Sequence, residues 1–262
     1  YRNPESLPPG AVMVVGASAS GIQLAAEIAR GGRRVILATG EHTRLPRSYR
    51  GMNIHWWMDQ LGLLDQRHNE VEDITRARRL PSLQLVGSPD QRTLDLNAVQ
   101  AVGVEVVGRL VGYSNGKLQF AGSLANQCVS ADLKQGRLLD EIDAHAAAHG
   151  LDAELGAPDR PAPTRIPTPS NTLGIAEISS VVWATGFRPD YPWLDDRLLD
   201  AKGGITHDGG VMAQAGMYVL GLPFLRRRKS SFVDGVGCDA SEIAAHLRWI
   251  LDLQAAKVPS GT

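Results

Sequence analysis

Residues 12–21 read Val12-Met13-Val14-Val15-Gly16-Ala17-Ser18-Ala19-Ser20-Gly21, and the helical run Ile22–Arg30 follows directly. An apolar strand therefore runs into a tight turn of small residues that opens into a helix, whose first N–H groups and dipole attract phosphate oxygens. Gly16 would allow the sharp turn, and Gly21 the close packing of the helix on the strand. Ser18 stands where the G-x-G-x-x-G motif has its middle glycine, and it is small enough for a pyrophosphate to approach. Such turns also occur in proteins without a ligand.

The chain has 262 residues, enough for one large or two modest domains, and its formal net charge is −1. This balance offers no general electrostatic case for binding nucleic acid or an anionic membrane. No apolar run is long enough to span a bilayer, and no secretory signal pattern is present. Cys128 and Cys238 form no C-x-x-C motif, which argues against a redox dithiol or a thiolate metal site. We therefore expect a cytoplasmic protein that binds neither nucleic acid nor membrane.

A β-α-β unit surrounds the opening motif. The pattern predicts a strand at Ala11–Val15, a helix at Ser20–Arg30 that ends at Gly31-Gly32, and a buried strand at Arg34–Ala38. The unit closes in about 30 residues, the size of a dinucleotide-binding half. This context favours a nucleotide-binding interpretation of the turn.

The residues after the second strand select the nucleotide. An acidic residue there favours the free ribose of NAD, and a basic residue favours the 2′-phosphate of NADP. Thr43, Arg44 and Arg47 could form a phosphate clamp, helped by Arg50, whereas Glu41 opposes it. A solvated loop whose arginines meet only water is the alternative. The pattern favours NADP.

The middle of the chain gives a series of local predictions. We expect a helix at Ile54–Leu64, a hairpin turn at Asn115-Gly116 and a long helix at Ser123–His149. That long helix would bury its apolar residues, which are Leu124, Cys128, Ala131, Leu138, Ile142 and Ala146. His145 and His149 are spaced i, i+4, but no further ligand completes a metal site, and we predict none. Residues 151–172 are rich in proline and indicate an exposed linker.

Three later stretches carry further signals. A buried strand is expected at 178–183, ending in Ala184-Thr185-Gly186, and another strand at 216–223. The sequence Asp234-Gly235-Val236-Gly237-Cys238-Asp239-Ala240 would open a final helix to about Leu253. The apolar face of that helix would consist of Ile243, Leu247, Ile250 and Leu251.

Taken together, these motifs resemble the flavin-containing monooxygenases, in particular the bacterial branch related to the plant indole-pyruvate monooxygenases. The order is a dinucleotide motif, a strand ending in Ala-Thr-Gly, and a late Asp-Gly-Val-Gly helix. Tyr1 resembles the last residue of the family's motif F-x-G-x-x-x-H-x-x-x-[FY]. The runs Leu220–Leu225 and Lys229–Phe232 also resemble this branch.

The resemblance implies an α/β fold, with a Rossmann-type NAD(P)-binding domain and the C-terminal part of an FAD-binding domain of a two-dinucleotide-domain flavoprotein. The expected segments are a connector at 1–10, the NAD(P) domain at 11–121, a helical insertion and linker at 122–172, and the returning FAD-domain part at 173–262. The family's N-terminal half, with its own FAD motif, would precede Tyr1. The insertion could form a cap or a subunit contact, or serve only as a surface elaboration.

The resemblance also implies chemistry. NADPH would reduce FAD, and the reduced flavin would activate O₂ as a C4a-hydroperoxide that oxygenates a small-molecule substrate. Residues 16–21 would hold the NADP pyrophosphate, and Thr43 with Arg44 the 2′-phosphate. Ala184, Thr185 and Gly186 would lie where the two cofactors cross, and Asp234, Gly235, Asp239 and Ala240 would border the flavin. No separate catalytic side chain is nominated.

The sequence also allows two other functions and two protein partners. A flavin-dependent reductase of the same architecture is one alternative, and an NAD(P)-binding module without catalysis is the other. The candidate protein partners are a second copy of the chain and the missing FAD-domain half.

Overall fold

The computed structural model describes residues 1–87 and 90–256. Its contacts divide the chain into two compact units. The first joins Tyr1–Trp57 to Pro81–Gly186, and the second joins Met58–Leu80 to the segment that begins at Phe187. The strand that ends shortly before Gly186 belongs to the first unit, because it pairs with the first strand of the chain.

The first unit contains all the named strands. They are β1 (Ala11–Val15), β2 (Val35–Ala38), β3 (Ser48–Tyr49), β4 (Met52–Asn53), β5 (Glu105–Val107), β6 (Leu110–Ser114), β7 (Lys117–Phe120), β8 (Thr172–Gly174) and β9 (Ile178–Trp183). The helices are α1 (Ala19–Arg30), α2 (Ile54–Gln60), α3 (Ile74–Ala77), α4 (Leu96–Ala101), α5 (Leu124–Ala148) and α6 (Val236–Ala256), of which α3 and α6 belong to the second unit.

A four-stranded parallel sheet in the order β5-β2-β1-β9 forms the centre of the first unit. Alternate residues of β1 point to opposite faces, as the pleat requires. Val12 and Val14 pack with helical residues such as Ile22 and Leu124, whereas Met13 packs with the antiparallel sheet β6-β7-β8. Both faces are covered, which explains why the strand is continuously apolar. The expected α/β fold with a Rossmann-type parallel sheet is confirmed.

The hairpin between β6 and β7 has the predicted turn. Asn115 and Gly116 both have positive φ, at 50° and 72°, as a two-residue type I′ turn requires. The strands pair antiparallel from Ser114 opposite Lys117 to Leu110 opposite Phe120.

The expectation of a buried strand before Ala184 was wrong. Strand β9 is the edge of its sheet, and Val182 is its one buried residue. The side chain of Trp183 is 66% exposed. An edge strand has a neighbouring strand on one side only, so its side chains can be exposed even where its composition is apolar.

Helix α5 confirms the long helix, with one change in its buried face. Leu139 is buried in place of Leu138, and Gln135 is buried with it. The proline-rich segment that follows is mostly exposed and lies along α5. Thr164 binds Asp132 through both its N–H and its hydroxyl, at 2.7 and 2.8 Å, and Arg160 pairs with Asp140 at 2.7 Å.

The second unit differs most from the sequence-based expectation. Residues 216–223 form no strand and make only one isolated bridge, from Tyr218 to Val211. In α6, Ile243 is buried, but Leu247 and Leu251 are 39% and 54% exposed. The apolar face predicted for the last helix is therefore only partly covered.

Among residues 1–87 and 90–256, no helix is both long enough and apolar enough to cross a membrane.

Candidate functional site

The turn between β1 and α1 has a backbone geometry that requires glycine at its first position. Gly16 has a φ of +106°, and a Cβ atom there would lie 2.5 Å from the carbonyl oxygen of Ala184. Its N–H donates to the carbonyl of Ala38 at 2.9 Å. A side chain at residue 16 would therefore clash with the backbone of the neighbouring edge strand.

The second glycine closes the turn from the helix side. A Cβ atom on Gly21 would lie 1.8 Å from the carbonyl oxygen of Gly16. The first turn of α1 therefore rests directly on the strand-to-helix turn. This packing is the role that the sequence assigned to Gly21.

The N-terminus of α1 carries no side-chain cap. Ser18 is the N-cap residue, and its hydroxyl accepts no cap hydrogen bond in the described structure. Ser20, in the first turn, is exposed. The first N–H groups of this 12-residue helix are therefore unpaired within it and lie at the positive end of its dipole.

This turn lies at the point where the sheet reverses its strand order. From β1 the chain moves to β2 and β5 on one side, and then returns to β9 on the other. The carboxyl ends of β1 and β9 are adjacent, since Val15 pairs with Trp183 and the N–H of Ala184 donates to Val15 at 2.8 Å. Ligands of open α/β sheets bind in the crevice outside such a switch point. The structure thus brings residues 16–21 and 184–186 together.

The glycine turn fits a dinucleotide. Gly16 and Gly21 give the turn its close internal packing, and the N-terminus of α1, which has no side-chain cap, lies at the switch point, where the helix dipole favours a pyrophosphate. Thr185 and Gly186 are exposed beside it, and Gly186 has a φ of +81°. These residues could hold the phosphates and the adjacent half of the cofactor.

Gln84 supports the turn, and the sequence analysis missed it. Its side chain is 1% exposed, and its Nε2 donates to the carbonyl oxygen of Ala17 at 2.7 Å. Its Oε1 is buried and has no partner in the described part of the chain. Gln84 lies in an irregular segment with no periodic pattern, so no sequence signal identified it.

The phosphate clamp predicted after β2 is not available as proposed. Arg44 is 3% exposed. Its guanidinium pairs with Asp95 and Asp132, each at 2.7 Å, and donates to the carbonyl of Ala162 at 2.8 Å. These partners occupy the guanidinium, so the prediction that Arg44 binds a 2′-phosphate disagrees with the structure.

The other members of the predicted clamp also have structural contacts. Thr43 is half-buried, and its carbonyl accepts the N–H of Gln84 at 2.9 Å. The carbonyl of Arg47 accepts the N–H of Ile54 at the start of α2. Arg50, named as a helper, is buried against Asp143 and Asp152. Arg44 and Arg50 therefore hold the segments around this loop through their guanidinium groups, whereas Arg47 contributes backbone contacts, and its buried Nε has no hydrogen-bond partner in the described part of the chain.

The residues predicted to border a flavin lie at the start of α6, in the second unit. A Cβ atom on Gly235 would lie 1.9 Å from the carbonyl oxygen of Lys229, so this glycine serves internal packing. Asp239 is fully buried, and its Oδ1 pairs with Arg227 at 2.8 Å. The helix begins at Val236, four residues before Ala240. Gly235 and Asp239 therefore do not fit a direct flavin contact, whereas Asp234 is exposed and Ala240 is half-buried.

The two histidines of α5 stack on each other. The rings of His145 and His149 are 4.0 Å apart, and His149 Nδ1 lies 2.8 Å from the carbonyl oxygen of His145. Within the described ranges, no group of three or more His, Cys, Asp or Glu side chains could hold a metal ion.

Comparison with known proteins gives distant relatives. No protein-family model matches the chain. The uncharacterized oxidoreductase CzcO of Bacillus subtilis is 27% identical over 248 residues, which is 94% of this chain and 55% of that protein. A CzcO-like uncharacterized oxidoreductase of Geobacillus kaustophilus is 26% identical over 242 residues, or 92% of this chain and 53% of that protein.

Among solved structures, a double mutant of a flavin monooxygenase from Stenotrophomonas maltophilia matches 94% of this chain and 52% of its own chain. It is 18% identical, with a TM-score of 0.49. The chain spans about half the length of the curated relatives it matches.

Proposed function

We propose that the chain is the NADPH-binding portion of an FAD-dependent oxidoreductase of the flavin-containing monooxygenase type. The observation that carries this proposal is the glycine turn at the switch point of the parallel sheet. There Gly16 and Gly21 pack the turn tightly against its neighbouring backbone, and the N-terminus of α1 has no side-chain cap. The names of the relatives, which are oxidoreductases, agree with it.

In this proposal the protein binds and orients the nucleotide. The N–H groups at the start of α1 hold the pyrophosphate, and the helix dipole contributes about 0.3–1 kcal/mol. Ala184, Thr185 and Gly186 guide the nicotinamide half, since they border the turn on the other side of the switch point. When bound, FAD would accept the hydride and supply the oxygen chemistry, and no residue of this chain is assigned a proton transfer.

A charge substitution in the first turn of α1 tests nucleotide binding. Ser20→Glu places a carboxylate where the pyrophosphate would lie, yet a negative charge at a helix N-terminus favours the helix itself. We expect this variant to fold as well as the wild type and to bind NADPH at least tenfold more weakly. Ser20→Gln, with the same size and no charge, should bind within about twofold of wild type. Equal NADPH affinity in all three proteins would overturn the proposed site.

A second measurement tests the flavin part. NADPH should bleach the long-wavelength absorbance of added FAD faster in the presence of the purified chain than in its absence, without oxygen. Ser20→Glu should remove that acceleration. If NADPH binds but flavin is not reduced, the flavin part of the proposal fails for this chain, and the chain is a dinucleotide-binding module.

A further inference from the structure

We propose that Arg109, and not Arg44, recognises the 2′-phosphate of the nucleotide at the carboxyl end of β2. This inference rests on the proposed function and names the residue that gives the site its preference for NADPH over NADH. Sequence reasoning did not consider Arg109, because it lies about 70 residues after β2 in the chain.

The parallel sheet places Arg109 beside the end of β2. Strands β2 and β5 pair up to Ala38 opposite Val107, and the N–H of Thr39 donates to Val107 at 2.9 Å. Arg109 comes two residues after Val107, and its carbonyl accepts the N–H of Ala121 at 2.9 Å. Its backbone is thus held between the central sheet and the β6-β7 hairpin. In a Rossmann-type unit, the end of the second strand is where the adenosine ribose is recognised.

The stem of Arg109 lies against Gly40. A Cβ atom at residue 40 would be 3.6 Å from Cδ of Arg109, 3.7 Å from its Cγ and 3.9 Å from its Cβ. These are ordinary van der Waals distances, so the arginine stem lies directly beside residue 40, which follows β2 by two positions. Its backbone anchor and this contact place the stem of Arg109 at the carboxyl end of β2, where the ribose would be recognised.

Arg109 also differs from Arg44 in its freedom to bind a ligand. Arg44 is buried and its guanidinium is bonded to two carboxylates and a carbonyl. Arg109 is exposed, and within the described structure no ion pair or side-chain hydrogen bond joins it to another residue. An arginine fork matches the oxygens of a phosphate and forms strong charge-assisted hydrogen bonds with them.

The acidic residue after β2 is partly neutralised. Glu41 Oε1 lies 3.4 Å from Lys134 Nζ, with both side chains about half exposed (60% and 48%). Lys134 belongs to α5, so the inserted helix places a positive charge beside a carboxylate that would repel a 2′-phosphate. With Arg109 added, this group of three side chains carries a net positive charge, which favours a 2′-phosphorylated ligand.

Titration of two small probes tests the inference without any catalytic assay. Adenosine 2′,5′-bisphosphate and ADP share the adenosine and a 5′-phosphate, but only the first has a 2′-phosphate. We expect the wild-type chain to bind the bisphosphate more tightly in calorimetry. Arg109→Ala should weaken that binding at least tenfold and change ADP binding less than twofold. Arg30→Ala, an exposed arginine at the other end of α1, is the matched control and should change neither.

Three outcomes separate the possibilities. If the wild type binds both probes and Arg109→Ala weakens both equally or neither, the role of Arg109 is wrong while the nucleotide site stands. If the wild type binds neither ADP nor the bisphosphate, the proposed function itself fails. Glu41→Gln adds an independent check, because removal of the negative charge should raise the preference for the bisphosphate; a lower preference would contradict the charge argument.

Discussion

Arg44 and Asp95 form a buried ion pair, with 2.7 Å between Nη2 and Oδ2 and side chains that are 3% and 7% exposed. Asp95 also caps α4 by accepting the N–H of Ala98 at 2.8 Å. Through Asp132 and Ala162, the same guanidinium reaches α5 and the proline-rich segment after it. One side chain therefore ties the loop after β2 to three other segments of the first unit.

Loss of this arginine should destabilise the first unit strongly. Arg44→Met leaves Asp95 buried without its partner, and removal of one member of a buried pair costs about 3–5 kcal/mol. Urea unfolding measures the change. Arg34→Met is the control, since Arg34 pairs with Glu105 and Glu177 at the surface, with its side chain 48% exposed, and should cost about 1 kcal/mol or less. A cost for Arg44→Met equal to that of the control would contradict a structural role for the buried pair.

Substitution of Gly21, in the first turn of α1, should lower the free energy of unfolding far more than substitution of Gly32, which follows the other end of the helix. In Gly21→Ala the new Cβ would lie 1.8 Å from the carbonyl oxygen of Gly16. Neither atom can swing away, because Cβ is bonded directly to Cα and the oxygen belongs to the main chain. We expect a loss above about 3 kcal/mol. Gly32→Ala has a φ of +83° but nothing within 4 Å of the new atom, so it should cost about 1–2 kcal/mol. Thermal unfolding of the two variants gives the comparison, and similar losses would show that the turn can relax.

Acid should weaken the second unit through Glu242. The hydrogen bonds from Arg67, and then those from Arg227, hold the pKa of this carboxyl at about 2, below its ordinary value of 4.5. Because the folded-state pKa is depressed, the contribution of Glu242 to stability is present above pH 4.5 and is lost as the pH falls towards 2. Wild type should therefore exceed Glu242→Gln in stability at pH 7, and the difference should shrink between pH 4.5 and 2.

The control for this prediction is Glu72→Gln. Glu72 is exposed, and no ion pair joins it to another residue in the described part of the second unit. Its substitution should leave the pH profile of unfolding unchanged. A Glu242→Gln profile parallel to that of wild type across the acid range would refute the role of the arginine cluster.

The two cysteines should react at different rates with a thiol reagent. Cys238 is exposed, whereas Cys128 is buried in the face of α5. Burial, followed by the charge of Asp132, raises the pKa of the Cys128 thiol to about 11, so very little thiolate forms at neutral pH. One thiol per chain should react quickly in the native protein and two after unfolding. Rapid reaction of both in the native state would show that α5 does not pack Cys128 into the core of the first unit. Cys238→Ser should remove the fast phase.

The sequence predicted those parts of the site that depend on residues close together in the chain, and it failed where residues far apart in the chain interact. The turn at Gly16–Gly21 and the hairpin at Asn115-Gly116 follow from local backbone preferences, and the structure has both where expected. The predicted phosphate clamp failed at Arg44 because an arginine after a strand is equally suited to a ligand phosphate and to a buried carboxylate. Asp95 and Asp132, which decide the matter, lie 51 and 88 residues away.

By itself, the sequence determined the parallel α/β unit, the strand-turn-helix motif at its start and the long helix α5. Apolar periodicity and glycine placement act over a few residues and are visible in any short window. Tertiary structure alone decided that β9 is an exposed edge, that Arg44 is buried and that Arg109 lies beside Gly40. Each of these depends on which distant strands become neighbours, because the exposure and charge environment of a side chain are set by segments that the local pattern does not contain.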